Sequence, residues 1–137
     1  MNKRLHHVGV VVPNLEKASA FYLQQMGASV QQGPVDDPIQ KVRVMFLNTG
    51  TDVLLELVQP TAPDSPAQRL AEAGGGLHHM CYEVADLTAT LKESRLAGSL
   101  IICNPVPATA FNGRHIAFTF TSDKVVIEYL EKELSRS

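Results

Sequence analysis

The feature that most constrains this chain is an internal repeat. Leu5-His6-His7 near the N-terminus recurs as Leu77-His78-His79, 72 residues further on. The same offset carries Val12 onto Val84, Asn14 onto Asp86 and Leu15 onto Leu87. It also carries Asp52–Val58 onto Lys124–Leu130, so that Glu56 lands on Glu128. A fixed period within 137 residues implies two copies of one structural unit. Such a unit leaves one sheet face uncovered unless it meets a partner, so the copies are expected to share a core.

Read in order, each copy predicts the same elements. Leu5–Val12 is valine-rich and strand-like, and Pro13-Asn14 ends it. Asn14 is a good N-cap for a helix that carries Leu15, Ala18, Phe21 and Tyr22 to Met26, with Gly27 as the stop. Ala28–Gln32 predicts a short strand, and Gly33–Gln40, with two prolines and two aspartates, predicts a loop. In Lys41–Leu47, Val42, Val44 and Phe46 alternate with Lys41, Arg43 and Met45, the pattern of a half-buried strand. Asn48–Asp52 then turns into a return strand over Val53–Gln59.

Between the copies, Ser65-Pro66 predicts an N-cap and first helical residue for a short helix over Ala67–Ala73. Gly74-Gly75-Gly76 follows that helix and precedes a strand, the reverse of the phosphate-loop order, so it reads as a hinge. The second copy predicts a strand at Leu77–Val84, a helix from Asp86 to Gly98 and a strand at Ser99–Cys103. A loop over Asn104–Asn112, a hairpin of Arg114–Phe120 with Val125–Leu130, and a polar tail to Ser137 complete it. The expected fold is α+β: two tandem βαβββ modules, about residues 4–60 and 76–131 of a single domain, making an open, curved eight-stranded sheet around a cleft.

Composition limits the partners. The net charge of −2 offers no electrostatic reason to bind nucleic acid or an anionic membrane. No apolar run approaches the ~20 residues that span a bilayer. Two cysteines without metal-type spacing suit a reducing compartment, and the short run after Met1-Asn2-Lys3-Arg4 is a poor signal peptide, so a cytoplasmic protein is expected.

The repeat duplicates metal-binding residue types. Adjacent histidines on a strand point to opposite faces, so one of each pair looks into the site and one away; His6 with His78 is as regular as His7 with His79. A glutamate within Leu54-Leu55-Glu56-Leu57-Val58 ordinarily faces solvent. Two histidines and two glutamates on four strands at one offset form a stronger pattern, because a buried charge needs a partner and a divalent ion supplies one. A mixed nitrogen and oxygen set suits Mn, Co, Ni, Fe or Zn. An octahedral ion with four such ligands keeps two positions open, and can polarise a carbonyl.

The residues His6–Val12, Phe21-Tyr22 with Gly27, Val42–Leu47, Leu54–Pro60, Asp64-Ser65-Pro66 and Gly75–Val84 resemble the vicinal oxygen chelate superfamily, and most specifically its methylmalonyl-CoA epimerases. The resemblance covers nearly the whole chain. It implies His7, Glu56, His79 and Glu128 as ligands of a divalent ion (Co, Mn, Ni or Zn), so that His7 and His79 are the inward histidines. It also implies Glu128 as a proton-transfer group. The implied reaction moves an α-proton beside a thioester carbonyl through a metal-stabilised enolate, on an acyl-CoA or similar thioester, in a homodimer. Epimerisation needs acid–base groups on both faces of the carbon, and some epimerases place the second, a carboxylate, on the third strand. Here that strand offers Lys41 and Arg43. Arg43 is expected to bind an anionic substrate group instead. Asn104–Arg114, which departs from the epimerases, is expected to border the cleft. Two alternatives follow: a glyoxalase I-type lyase with the same ligand set, and a metal-free, drug-sequestering binding protein.

Overall fold

The structure is a computed structural model, described here over residues 3–133; the tail beyond Glu133 lies outside the described residues. These residues contain eight strands, three α-helices and one 3-10 turn. Their order is β1 (Lys3–Val11), α1 (Leu15–Gln25), β2 (Ser29–Asp37), β3 (Val42–Asn48), β4 (Leu54–Pro60) and α2 (Gln68–Glu72), then β5 (Gly76–Val84), α3 (Leu87–Leu96), β6 (Leu100–Pro107), β7 (His115–Phe120) and β8 (Val126–Glu131). The 3-10 turn, Thr109–Phe111, joins β6 to β7. This is the expected βαβββ plan twice over, in an open, mixed eight-stranded sheet.

The chain divides into two compact units, His7–His78 and the described residues on either side of it. Within the first, the strands lie in the order β2-β3-β4-β1, with β1 parallel to β4 and the hairpin pairs antiparallel. Within the second, the order is β5-β8-β7-β6, again with one parallel pair, β5 with β8.

Both long helices begin where the caps predicted. Asn14 Oδ1 accepts the Lys17 N–H at 3.0 Å, and Asp86 Oδ1 accepts the Ala89 N–H at 2.9 Å. The Gln59 side-chain oxygen accepts the Leu15 N–H at 2.7 Å and ties α1 to β4. Beneath α1, Val12, Leu15, Leu47 and Leu57 form one core; beneath α3, Val84, Leu87, Leu91 and Ala117 form the other. Leu47 and Leu57 are fully buried, worth about 1.5–3 kcal/mol each in apolar burial. Each sheet half therefore spends one face on its helix and keeps the other for the site.

Three expectations change. β2 runs through Gly33 and Pro34 to Asp37, and β6 through Pro105 to Pro107, where loops were expected. Both are edge strands whose pairing shifts register at the irregular residues, and an edge strand tolerates proline because one row of its N–H groups needs no partner. Gly33 has room for nothing larger, since a Cβ there would lie 2.7 Å from the Val44 carbonyl oxygen. The short helix α2 starts at Gln68 with Ala67 as its cap; Ser65 Oγ accepts the Ala67 N–H at 3.2 Å in a turn before it. The third change concerns Arg43 and is described with the site.

The glycine hinge is steric as well as conformational. Gly75 has φ +89°, and a Cβ on it would meet the Val11 carbonyl oxygen at 2.5 Å. Gly75→Ala is expected to destabilise the fold by about 1–3 kcal/mol, read as a lower urea midpoint at unchanged slope.

Candidate metal centre

In the first unit, the parallel register sets Gly9 beside Glu56, so Glu56 shares a sheet face with His7, two residues before Gly9. His7 Nε2 lies 3.3 Å from Glu56 Oε1. Phe46, directly opposite Glu56 across the hairpin, meets the His7 ring edge-on, with centroids 5.2 Å apart and planes at 78°.

The second unit repeats this construction. Cys81 pairs with Glu128, which puts Glu128 on the face of His79. His79 Nε2 lies 3.2 Å from Glu128 Oε1. Phe118 stands opposite Glu128 and meets the His79 ring edge-on at 5.6 Å and 86°. Phe118 is Phe46 displaced by the repeat offset, so the duplicated unit is a histidine, a phenylalanine and a glutamate. The phenylalanine pair escaped the sequence reading, although the same offset marks it. Its edge-to-face contacts fix the imidazole planes and keep water from one side of each pair.

All four polar side chains are buried: exposure is 0% for His7, 8% for Glu56, 7% for His79 and 4% for Glu128. A carboxylate this deep needs a charged or strongly hydrogen-bonding partner. Charge-assisted bonds from imidazolium to carboxylate run to about 2.7–2.9 Å, shorter than the 3.2 and 3.3 Å found here. Two neighbouring donors held at about 2.1 Å from one octahedral ion would lie about 3.0 Å apart. Each buried pair therefore has the chemistry and spacing of two adjacent ligands of a divalent ion. Imidazole nitrogen with carboxylate oxygen suits Mn, Co, Ni, Fe or Zn, and leaves thiolate chemistry out. Cys81 is fully buried and packs with Ala108, Ile116 and Leu130.

The remaining candidates lie elsewhere. The His6 ring sits edge-on to Phe111 at 5.4 Å. Arg43, expected to bind an anionic substrate group, pairs with Gln59 of β4, whose side chain caps α1. It therefore points to the helix side, away from the face of Glu56, because Phe46 rather than Arg43 shares that face. There its guanidinium donates to both carboxylate oxygens of Asp36, at 2.8 and 3.3 Å. That hydrogen bond, with the attached Coulomb attraction, raises Arg43 above the usual arginine value and lowers Asp36 below the usual carboxylate range. Asp37, buried at the end of β2, accepts the backbone N–H groups of Ile39 and Gln40. The site face of β3 is apolar: Val42, Val44 and Phe46 are all buried.

The model of the Glyoxalase/Bleomycin resistance protein/Dioxygenase superfamily matches residues 6–118. An ethylmalonyl-CoA/methylmalonyl-CoA epimerase of Cereibacter sphaeroides is 35% identical over 122 residues, which is 88% of this chain and 90% of the relative. A methylmalonyl-CoA epimerase solved with methylmalonyl-CoA and ammonium superposes with a TM-score of 0.82 at 27% identity, covering 100% of this chain and 99% of that one. A Streptomyces coelicolor methylmalonyl-CoA epimerase variant, solved with 2-nitronate-propionyl-CoA, gives a TM-score of 0.80 at 27% identity over 96% of this chain and 98% of its own.

Proposed function

This chain belongs to the glyoxalase/bleomycin resistance/dioxygenase superfamily, and from that premise we propose that it is a divalent-metal-dependent epimerase of the methylmalonyl-CoA type. In this reading His7, Glu56, His79 and Glu128 hold one ion between them. The single observation that carries the reading is the buried imidazole–carboxylate pair, built twice at the repeat offset. The epimerase relatives supply the substrate class, an acyl-CoA thioester. A cytoplasmic homodimer, with a single vicinal-oxygen-chelate domain of two modules, is part of the same reading.

When bound, the ion polarises a carbonyl and stabilises negative charge developing beside it. The chain supplies the rest. Glu128 is the proton carrier on one face of the α-carbon: its carboxylate takes the α-proton of one epimer, and inversion is completed by a proton delivered to the opposite face, where the site face of β3 offers no carboxylate. His79 orients Glu128 from one side, and Phe118 excludes water from the other. In the first unit His7 and Phe46 hold Glu56 in the same way.

The test is solvent exchange. Metal-loaded protein with methylmalonyl-CoA in deuterium oxide is expected to exchange the α-proton far above the rate of chelator-treated protein. Exchange at background over a panel of acyl-CoA thioesters would remove this reading. The apolar site face of β3 favours one second reading, the glyoxalase I-type lyase, because it offers no carboxylate for the opposite face of the substrate. Methylglyoxal with glutathione, followed at the thioester absorbance, separates the two.

A further inference from the structure

The two copies differ sharply at one place on their site faces. Beyond the His7–Glu56 row, the first unit continues in buried valines: Val11, Val44 and Val58, then Val42. At the same offset the second unit has Ile116 and Leu130 for Val44 and Val58, but Glu83 for Val11 and Arg114 for Val42. Evenly apolar positions in one copy have become an ion pair in the other. Arg114 Nη2 lies 2.7 Å from Glu83 Oε2, with side chains only 21% and 17% exposed.

The guanidinium is held from three sides. Its Nε donates to the Glu131 carbonyl at 2.8 Å, Nη2 donates to Glu83, and its plane lies over the Phe111 ring at 5.9 Å. These bonds occupy two of the five N–H groups of an arginine. The side chain keeps 21% of its surface exposed. An arginine immobilised in this way while part of its side chain stays exposed is organised in advance for an oxyanion. Glu83 follows His79 by four residues on one strand, which puts this ion pair on the order of 13 Å along the same face.

We propose that Arg114 is a substrate-binding residue that receives an anionic oxygen group at the far end of the substrate. The chemistry required is a phosphate of the thioester's carrier or a terminal carboxylate on its acyl chain. This assignment rests on the thioester reading above. Glu83 acts as the positioning residue that aims the guanidinium.

Calorimetric titrations of metal-loaded protein test it, comparing the parent with Arg114→Gln and with the double variant Glu83→Gln/Arg114→Gln, which leaves no unpaired charge behind. Propionyl-CoA carries phosphates, suberyl-pantetheine carries only a carboxylate, at the far end of a long acyl chain, and propionyl-pantetheine carries neither. Both variants are expected to bind propionyl-CoA, suberyl-pantetheine or both at least tenfold more weakly, and propionyl-pantetheine unchanged. Which anionic probe responds identifies the source. Free pyrophosphate and succinate give a readout independent of the thioester reading: a parent that ignores every thioester but binds one of these through Arg114 keeps this assignment and sinks that reading. Affinities within twofold of the parent for every probe, in either variant with a native melting transition, would overturn the assignment.

Discussion

Glu128→Gln is expected to lower α-proton exchange by about 10²–10⁴-fold, the usual contribution of a positioned acid–base group. Glutamine keeps the size of the side chain and one oxygen donor, so the fold and the core around Leu130 should survive. It cannot accept a proton, and that is the function under test. Exchange in deuterium oxide, measured together with metal content, separates the two duties of Glu128. A rate collapse with the metal still bound identifies proton transfer. A collapse that tracks metal loss, and recovers at higher metal concentration, would identify Glu128 as a ligand only.

The second large effect concerns the histidines. His7→Ala and His79→Ala should each abolish high-affinity metal binding, and should do so to a similar degree, because the repeat gives them equivalent surroundings: a carboxylate at 3.3 or 3.2 Å and a phenylalanine edge. The loss should also appear as stability. An ion present at a thousandfold over its dissociation constant adds about 4 kcal/mol to the folded state. In a domain of this size that corresponds to a melting shift on the order of 10 °C. Parent protein should therefore lose this increment with chelator, while the two alanine variants melt alike with and without metal. A variant that still gains stability from metal would show that its histidine is not a ligand.

Much of this was legible in the chain itself, for identifiable reasons. The repeat marked His7, Glu56, His79 and Glu128 because duplication preserves residue type at a fixed offset. The caps Asn14 and Asp86 were legible because capping is local chemistry within four residues. What the sequence could not settle was direction. Both members of His6-His7 fit a strand, and only the register of Gly9 against Glu56 shows which shares the carboxylate's face. Arg43 misled for the same reason: alternation put it opposite Val42, Val44 and Phe46, but not on a known side of the sheet. The pairing of Phe46 with Glu56 assigns it to the helix side. β2 and β6 were underestimated because Pro34 and Pro105 punctuate a sequence in the same way whether the strand continues or stops. Their edge positions, which tolerate proline, arise from topology. Phe118 and Arg114 were visible at the offset, one as a match to Phe46 and one as a mismatch to Val42. Neither is a residue type that draws the eye in a search for metal ligands.

The account's central claim is that two imidazole–carboxylate pairs, one from each copy of the repeat, make a single metal site. Stoichiometry tests it most directly. Protein stripped of metal and titrated with Co or Mn should bind one equivalent per chain, and His79→Ala, which damages only one pair, should eliminate that equivalent. No binding by the parent, two equivalents per chain, or an undiminished equivalent in the variant would contradict it.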